Sequence, residues 1–139
     1  MPFIYHQKVK FRHCDPAGIV FYPRYFEMMN DTVEDFFDTV AGLPFSEMHR
    51  DCGIPTAGIE AQFHAPSRLG DALKIALRVT KVGRSSLGLA YDARCGAEQR
   101  FTAASTVVFI DGAGRPAAWT DALRARLEEH MKEETSDGA

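Results

Sequence analysis

Long apolar runs are missing from this sequence, and so is any concentration of cysteine. No stretch approaches the ~20 uninterrupted apolar residues of a membrane-spanning helix. Cysteine occurs only as Cys14, Cys52 and Cys95. An odd number at wide spacing, without a CxxC pair, builds no disulfide framework. That usage fits a reducing cytoplasm. The opening "MPFIYHQKVKFRHCDP" also lacks the apolar centre of a secretory signal. Nor is there a basic excess: 16 Lys and Arg stand against 19 Asp and Glu, a net charge of -3. The chain as a whole has no electrostatic bias toward nucleic acid, although a local basic group can still meet a phosphorylated small molecule. Internal repeats and low-complexity linkers are absent too.

What is present is ordinary globular composition, with 45% hydrophobic and 25% charged residues in a chain of 139. That length suits one domain over residues 1–139. The polar ending "KEETSDGA", from residue 132, is expected to fray.

Hydrophobic periodicity divides the chain. "FIYHQKVKF" alternates, with Phe3, Tyr5, Val9 and Phe11 on one side of an expected strand. From Pro23 the period lengthens: Phe26, Met29, Val33, Phe36, Phe37 and Val40 recur at three- and four-residue steps. This predicts an amphipathic helix with Pro23 in its first turn and Gly42 at its end. "LPFSEMHRDCG" could add a short helical turn. Alternation then returns in four segments, around Ile59–Phe63, Leu73–Val79, Leu87–Ala93 and Phe101–Phe109, separated by "PSRLGD", "KVGRSS" and "CGAEQ". Short links favour antiparallel pairing. "TDALRARLEEHM" reads as a closing helix, with Thr120 as its N-cap and Leu123, Leu127 and Met131 on one face. One long apolar helix laid across an antiparallel sheet buries both apolar faces, which is an α+β layout. A two-layer domain of this kind leaves an open sheet edge, so a second subunit is expected.

The densest chemistry lies in "CDPAGIVFYPRYF", residues 14–26. Asp15-Pro16 signals a turn, and Gly18 permits backbone angles other residues avoid. In one reading Asp15 simply caps that turn. In the other, the carboxylate stands before a helix start, whose unpaired N–H groups and partial positive charge face it. Ile19, Val20 and Phe21 are expected to be buried, and Phe21, Tyr22 and Tyr25 to form a dry wall. A carboxylate beside aimed N–H donors makes a base or nucleophile with an oxyanion site, and an acyl carbonyl is its natural target.

These residues resemble the signature of the Asp-dependent 4-hydroxybenzoyl-CoA thioesterases, in the hotdog-fold acyl-CoA thioesterase superfamily. The resemblance implies an α+β hotdog fold, a long central helix packed on a curved antiparallel sheet of about five strands. It also implies edge-to-edge dimers, or dimers of dimers, with the active site between subunits. Asp15 matches the catalytic aspartate, either attacking the thioester carbon to give a mixed anhydride or activating water. Tyr22 matches the position whose backbone N–H holds the thioester oxygen. Gly53, Ile54 and Pro55 resemble the segment lining the acyl pocket. Arg84, Ser85 and Ser86, in "VGRSS", resemble the stretch that meets the coenzyme A phosphates. No metal or cofactor is implied, since coenzyme A is part of the substrate. A fatty acyl-CoA or acyl carrier protein thioesterase, and a non-catalytic acyl-CoA binder, remain as alternatives.

Other residues take duller readings. Cys14 lacks a partner base and reads as structural. His6, His13, His49 and His64 lack ligand-like spacing. Glu27 belongs to an acidic helix face of the usual solvated kind. Arg24 reads as a surface charge, and Trp119 as an anchor for the C-terminal segment.

Overall fold

Alternation in the sequence becomes one antiparallel sheet. The computed structural model describes residues 2–44 and 52–138. Its strands are β1 (Phe3–Lys8), β2 (Thr56–Phe63), β3 (Ala72–Val82), β4 (Ser86–Cys95) and β5 (Glu98–Val108). They lie in the order β1-β3-β4-β5-β2, every neighbouring pair antiparallel. The turns after β3 and β4 are short, so β3, β4 and β5 form consecutive hairpins. β1 and β2 are left as the two edges.

Strand periodicity of two sorts the side chains by face. Leu73, Ile75, Leu77 and Val79 of β3, with Leu87, Leu89 and Ala93 of β4, point into the core and are buried. Across this face lies α1 (Pro23–Phe36), followed by a π-helical turn at Phe37–Ala41. Pro23 occupies the first turn as expected, and Met29, Val33, Phe36 and Phe37 are buried. Gly42 ends the run at φ 74°, a left-handed conformation that closes helices at little cost for glycine.

α2 (Asp121–Gly138) packs against β3 and the π-helical turn. Thr120 caps it, its hydroxyl accepting from the Leu123 N–H at 3.3 Å. Leu123 and Leu127 are buried. Trp119 anchors the segment as expected, stacking on Phe109 with centroids 4.9 Å apart and donating from Nε1 to the Ser86 carbonyl at 3.1 Å. The helix backbone continues through the polar ending that composition marks for fraying; its Glu and Lys residues are good helix formers.

Two expectations need correction. The first strand stops at Lys8, and Phe11 is 84% exposed instead of buried. Beyond Lys8 the β3 ladder has run out, and Val9 N–H pairs with the Asp71 carbonyl. A 3-10 turn at Phe11–His13 then breaks the alternation, held by the Lys10 N–H on His13 Nδ1 at 2.8 Å. Of the expected dry wall, Tyr25 is buried, but Phe21 is 46% and Tyr22 58% exposed in the single chain. The helical turn suggested within "LPFSEMHRDCG" falls largely on residues outside those described.

Candidate active site

A tight hairpin carries Asp15. Phe21 N–H donates to the His13 carbonyl and Asp15 N–H to the Ile19 carbonyl, both at 2.9 Å. At its tip Gly18 N–H donates to the Asp15 carbonyl at 2.9 Å, with Gly18 at φ 81°. The carboxylate holds its own turn: Oδ1 accepts the Ala17 N–H at 2.9 Å. Oδ2 accepts no hydrogen bond among the described residues. One oxygen of this side chain therefore fastens the loop, as the turn-capping reading expects.

Tyr22 is the N-cap of α1. Its carbonyl accepts from Tyr25, but its own N–H meets no acceptor among the described residues. An unpaired N–H at a helix start is a ready anion donor. The Tyr22 ring packs on Phe26 and on Phe63 at the end of β2, with centroids 6.5 and 6.2 Å apart. Those contacts fix the helix start against the sheet edge.

Gly53, Ile54 and Pro55 line a cavity of about 410 Å³ between α1 and the inward face of the sheet. Met29 and Val33 form its helix side, and Ile59 stands at its β2 side. Its sheet side also carries two hydroxyls that periodicity alone did not single out, Tyr91 Oη and Ser105 Oγ, 2.8 Å apart. A count of apolar alternation treats Tyr91 as one more core residue; the signal that could have found the pair is two hydroxyls in otherwise aliphatic rows. Within one chain, neither Asp15 nor Tyr22 lines this cavity.

The β3–β4 turn holds Arg84, Ser85 and Ser86. Gly83 N–H donates to the Ser86 carbonyl at 2.9 Å, and the Arg84 and Ser85 carbonyls accept from Trp119 and Phe109. Arg124 Nη1 reaches the Gly83 carbonyl at 2.7 Å. The C-terminal segment thus pins the turn's backbone and leaves the Arg84 side chain exposed. Glu27 is engaged by Arg24 at 2.8 Å. The Cys14 thiol points to the Lys10 carbonyl at 3.7 Å. His13 is buried, and burial holds its imidazole below the ordinary pKa.

A long helix laid across a five-stranded antiparallel sheet, with a carboxylate turn at the helix start, is the hotdog architecture of thioesterases. Residues 9–127 match the Thioesterase-like superfamily, and the chain belongs to it. Among similar proteins is a 1,4-dihydroxy-2-naphthoyl-CoA hydrolase of Prochlorococcus marinus subsp. pastoris, 27% identical over 86 residues, or 57% of this chain. The chain spans 57% of the length of that curated relative. A gentisyl-coenzyme A thioesterase superposes with a TM-score of 0.81 at 26% identity, covering 87% of this chain and 98% of that one. A 1,4-dihydroxy-2-naphthoyl-CoA thioesterase from Synechocystis shares the fold, with a TM-score of 0.85 at 19% identity, covering 93% and 97%. No helix among the described residues is long and apolar enough to cross a membrane.

Proposed function

We propose that this protein hydrolyses acyl-CoA thioesters with a small aromatic acyl group, 4-hydroxybenzoyl or a close relative, in the cytoplasm. The observation that carries the reading is the Asp15 turn: a carboxylate oxygen with no hydrogen-bond donor among the described residues, set just ahead of a helix whose Tyr22 N–H meets no acceptor among them. Asp15 Oδ2 either attacks the thioester carbon, expelling coenzyme A as its thiolate and leaving an anhydride for water to open, or takes a proton from the attacking water. In both routes negative charge grows on the thioester oxygen, where the Tyr22 N–H meets it. Gly53, Ile54 and Pro55 hold the acyl group. Arg84 meets coenzyme A phosphate, with Ser85 and Ser86 as neighbouring donors. Membership of the Thioesterase-like superfamily and the names of the relatives support the same chemistry.

The working unit is a homodimer or a dimer of such dimers. β2 is an edge strand, exposed along nearly its whole length, and bare edges invite pairing. Antiparallel pairing of β2 with its copy runs Phe63 of one chain toward the partner subunit's Thr56. Phe63 packs on Tyr22, while Thr56 and Pro55 line the cavity. Pairing in this way carries the Asp15–Tyr22 end of one chain to the cavity of the other, so each site draws on both chains.

Thiol release from benzoyl, hydroxybenzoyl and aliphatic CoA esters tests the proposal. Turnover of the aromatic esters is expected. Release no faster than the uncatalysed background across the panel would reject a thioesterase.

A further inference from the structure

We propose that the Tyr91–Ser105 hydroxyl pair sets the specificity of the acyl cavity by reading an oxygen substituent on the acyl group. This rests on the thioesterase reading above and goes a step further, to the polar feature that the substrate must carry.

The inward rows of β3, β4 and β5 are apolar apart from these two residues. Tyr91 and Ser105 are 5% and 7% exposed, and both line the cavity. Burying a hydroxyl costs free energy that Phe and Ala at these positions would not incur. Their mutual hydrogen bond at 2.8 Å offsets only part of that cost. Two hydroxyls carry two protons, and one bond between them spends one. The second proton finds no acceptor among the described residues, and lone pairs on both oxygens stay open. Burial raises the Tyr91 pKa more than the Ser105 bond lowers it, so the phenol stays a neutral donor through the physiological range.

An alkyl chain in this cavity would leave that proton and those lone pairs unanswered. A ring hydroxyl can accept the spare proton and donate back to a lone pair. A site built to bond a substrate hydroxyl rejects the analogue without one far more strongly than an apolar pocket discriminates by size. The register supports the placement. Tyr91 faces Ala103 across the β4–β5 ladder, and Ser105 faces Ile59 across the β5–β2 ladder.

Kinetics and binding test this together. Wild-type kcat/KM should favour hydroxybenzoyl-CoA over benzoyl-CoA by about tenfold or more. Tyr91→Phe and Ser105→Ala should each collapse that ratio to about threefold or less, with circular dichroism confirming the fold. A wild-type ratio near unity, or a ratio kept in both folded variants, overturns the proposal. Binding of the free acids, hydroxybenzoate against benzoate, followed by NMR titration, gives a readout that needs no turnover. If no CoA ester is cleaved yet hydroxybenzoate binds preferentially and Tyr91→Phe abolishes the preference, the thioesterase reading fails and the hydroxyl pair stands. Equal binding of the two acids removes the pair from specificity, whatever the chemistry.

Discussion

The N–H of Val20 donates to the carbonyl of Ser67 at 2.9 Å, and through this bond the turn that carries Asp15 is fastened to the loop between β2 and β3. Ser67 is itself held from below. Arg100 Nη1 lies 3.1 Å from the Ser67 hydroxyl, 3.1 Å from the Pro66 carbonyl and 2.7 Å from Asp71 Oδ2. Asp71 also accepts the Arg68 N–H at 2.9 Å. All three acceptors crowd one nitrogen of the guanidinium, so a single positively charged group ties Pro66, Ser67 and Asp71 together. The Asp15 turn therefore stands on a chain of contacts that begins on β5.

Removing that support should cost both stability and rate. Arg100→Met keeps the aliphatic stem but removes the guanidinium donor from Ser67 and leaves Asp71 with only the Arg68 N–H. With the pair only partly exposed, the loss should be about 2 kcal/mol, seen as a fall in thermal midpoint. Because Asp15 would be held less firmly, kcat should fall more than KM rises. Thermal melting and steady-state kinetics check this; an unchanged midpoint with unchanged kcat would remove Arg100 from the support.

Asp15→Asn separates the two uses of this side chain. Asparagine retains an Oδ1 that can accept the Ala17 N–H, so the turn and the fold should survive. It lacks the free carboxylate oxygen, so hydrolysis should fall by about a thousandfold. Thiol release together with circular dichroism is the check. A folded variant with near wild-type turnover would move the chemistry elsewhere.

How far these residues were legible in the sequence depends on what each pattern encodes. The period-two rows from Leu73 to Val107 and the helix from Pro23 to Gly42 were readable because side-chain direction follows backbone period. Phe11 was misread because alternation carries no sign of where the ladder ends; a histidine three residues past Lys10 closed a 3-10 turn instead. Phe21 and Tyr22 were expected to be buried, and a single chain leaves them open; on the dimer reading, their cover comes from a second copy. The Asp15 turn was visible in its Asp-Pro and Gly residues. The Tyr91–Ser105 pair was not, because it joins two strands through space.

Arg84→Ala should weaken recognition of the nucleotide end without touching the acyl chemistry. KM for CoA esters should rise several-fold, while KM for the matching pantetheine thioesters, which lack the nucleotide, should stay put. Raising salt should lift the wild-type KM toward that of the variant, since exposed charges are screened over about 8 Å at physiological ionic strength. A variant with unchanged KM for CoA esters would take Arg84 out of the site.

Acid sensitivity should come in two steps. Burial, the largest cause, holds the folded His13 pKa below the ordinary value. Its neutral form therefore stabilises the fold fully above about pH 6.5, and that contribution declines as pH falls from there toward the lower folded value. Asp71 is held down chiefly by its hydrogen bond from Arg100. Its contribution is complete above about pH 3.9 and is lost as pH falls through the lower folded value. Urea midpoints against pH should show a first decline that His13→Gln removes and a second, more acidic one that it leaves. A first decline that persists in His13→Gln would assign it to another group.

Whether one site draws on two chains can be read from mixed dimers. Asp15→Asn removes the carboxylate, and Ile54→Trp fills the cavity; each homodimer should be inactive. A mixed dimer holds one dead site, with both lesions, and one intact site. The intact site takes Asp15 from the Ile54→Trp chain and its cavity from the Asp15→Asn chain. Co-refolding equal amounts should make half the dimers mixed, so activity should return to about a quarter of wild type. If each chain instead carried its own complete site, no mixture could repair either lesion and the refolded sample would stay inactive. Sedimentation of the same sample establishes that dimers formed, so a silent assay would count against the shared site and not against assembly.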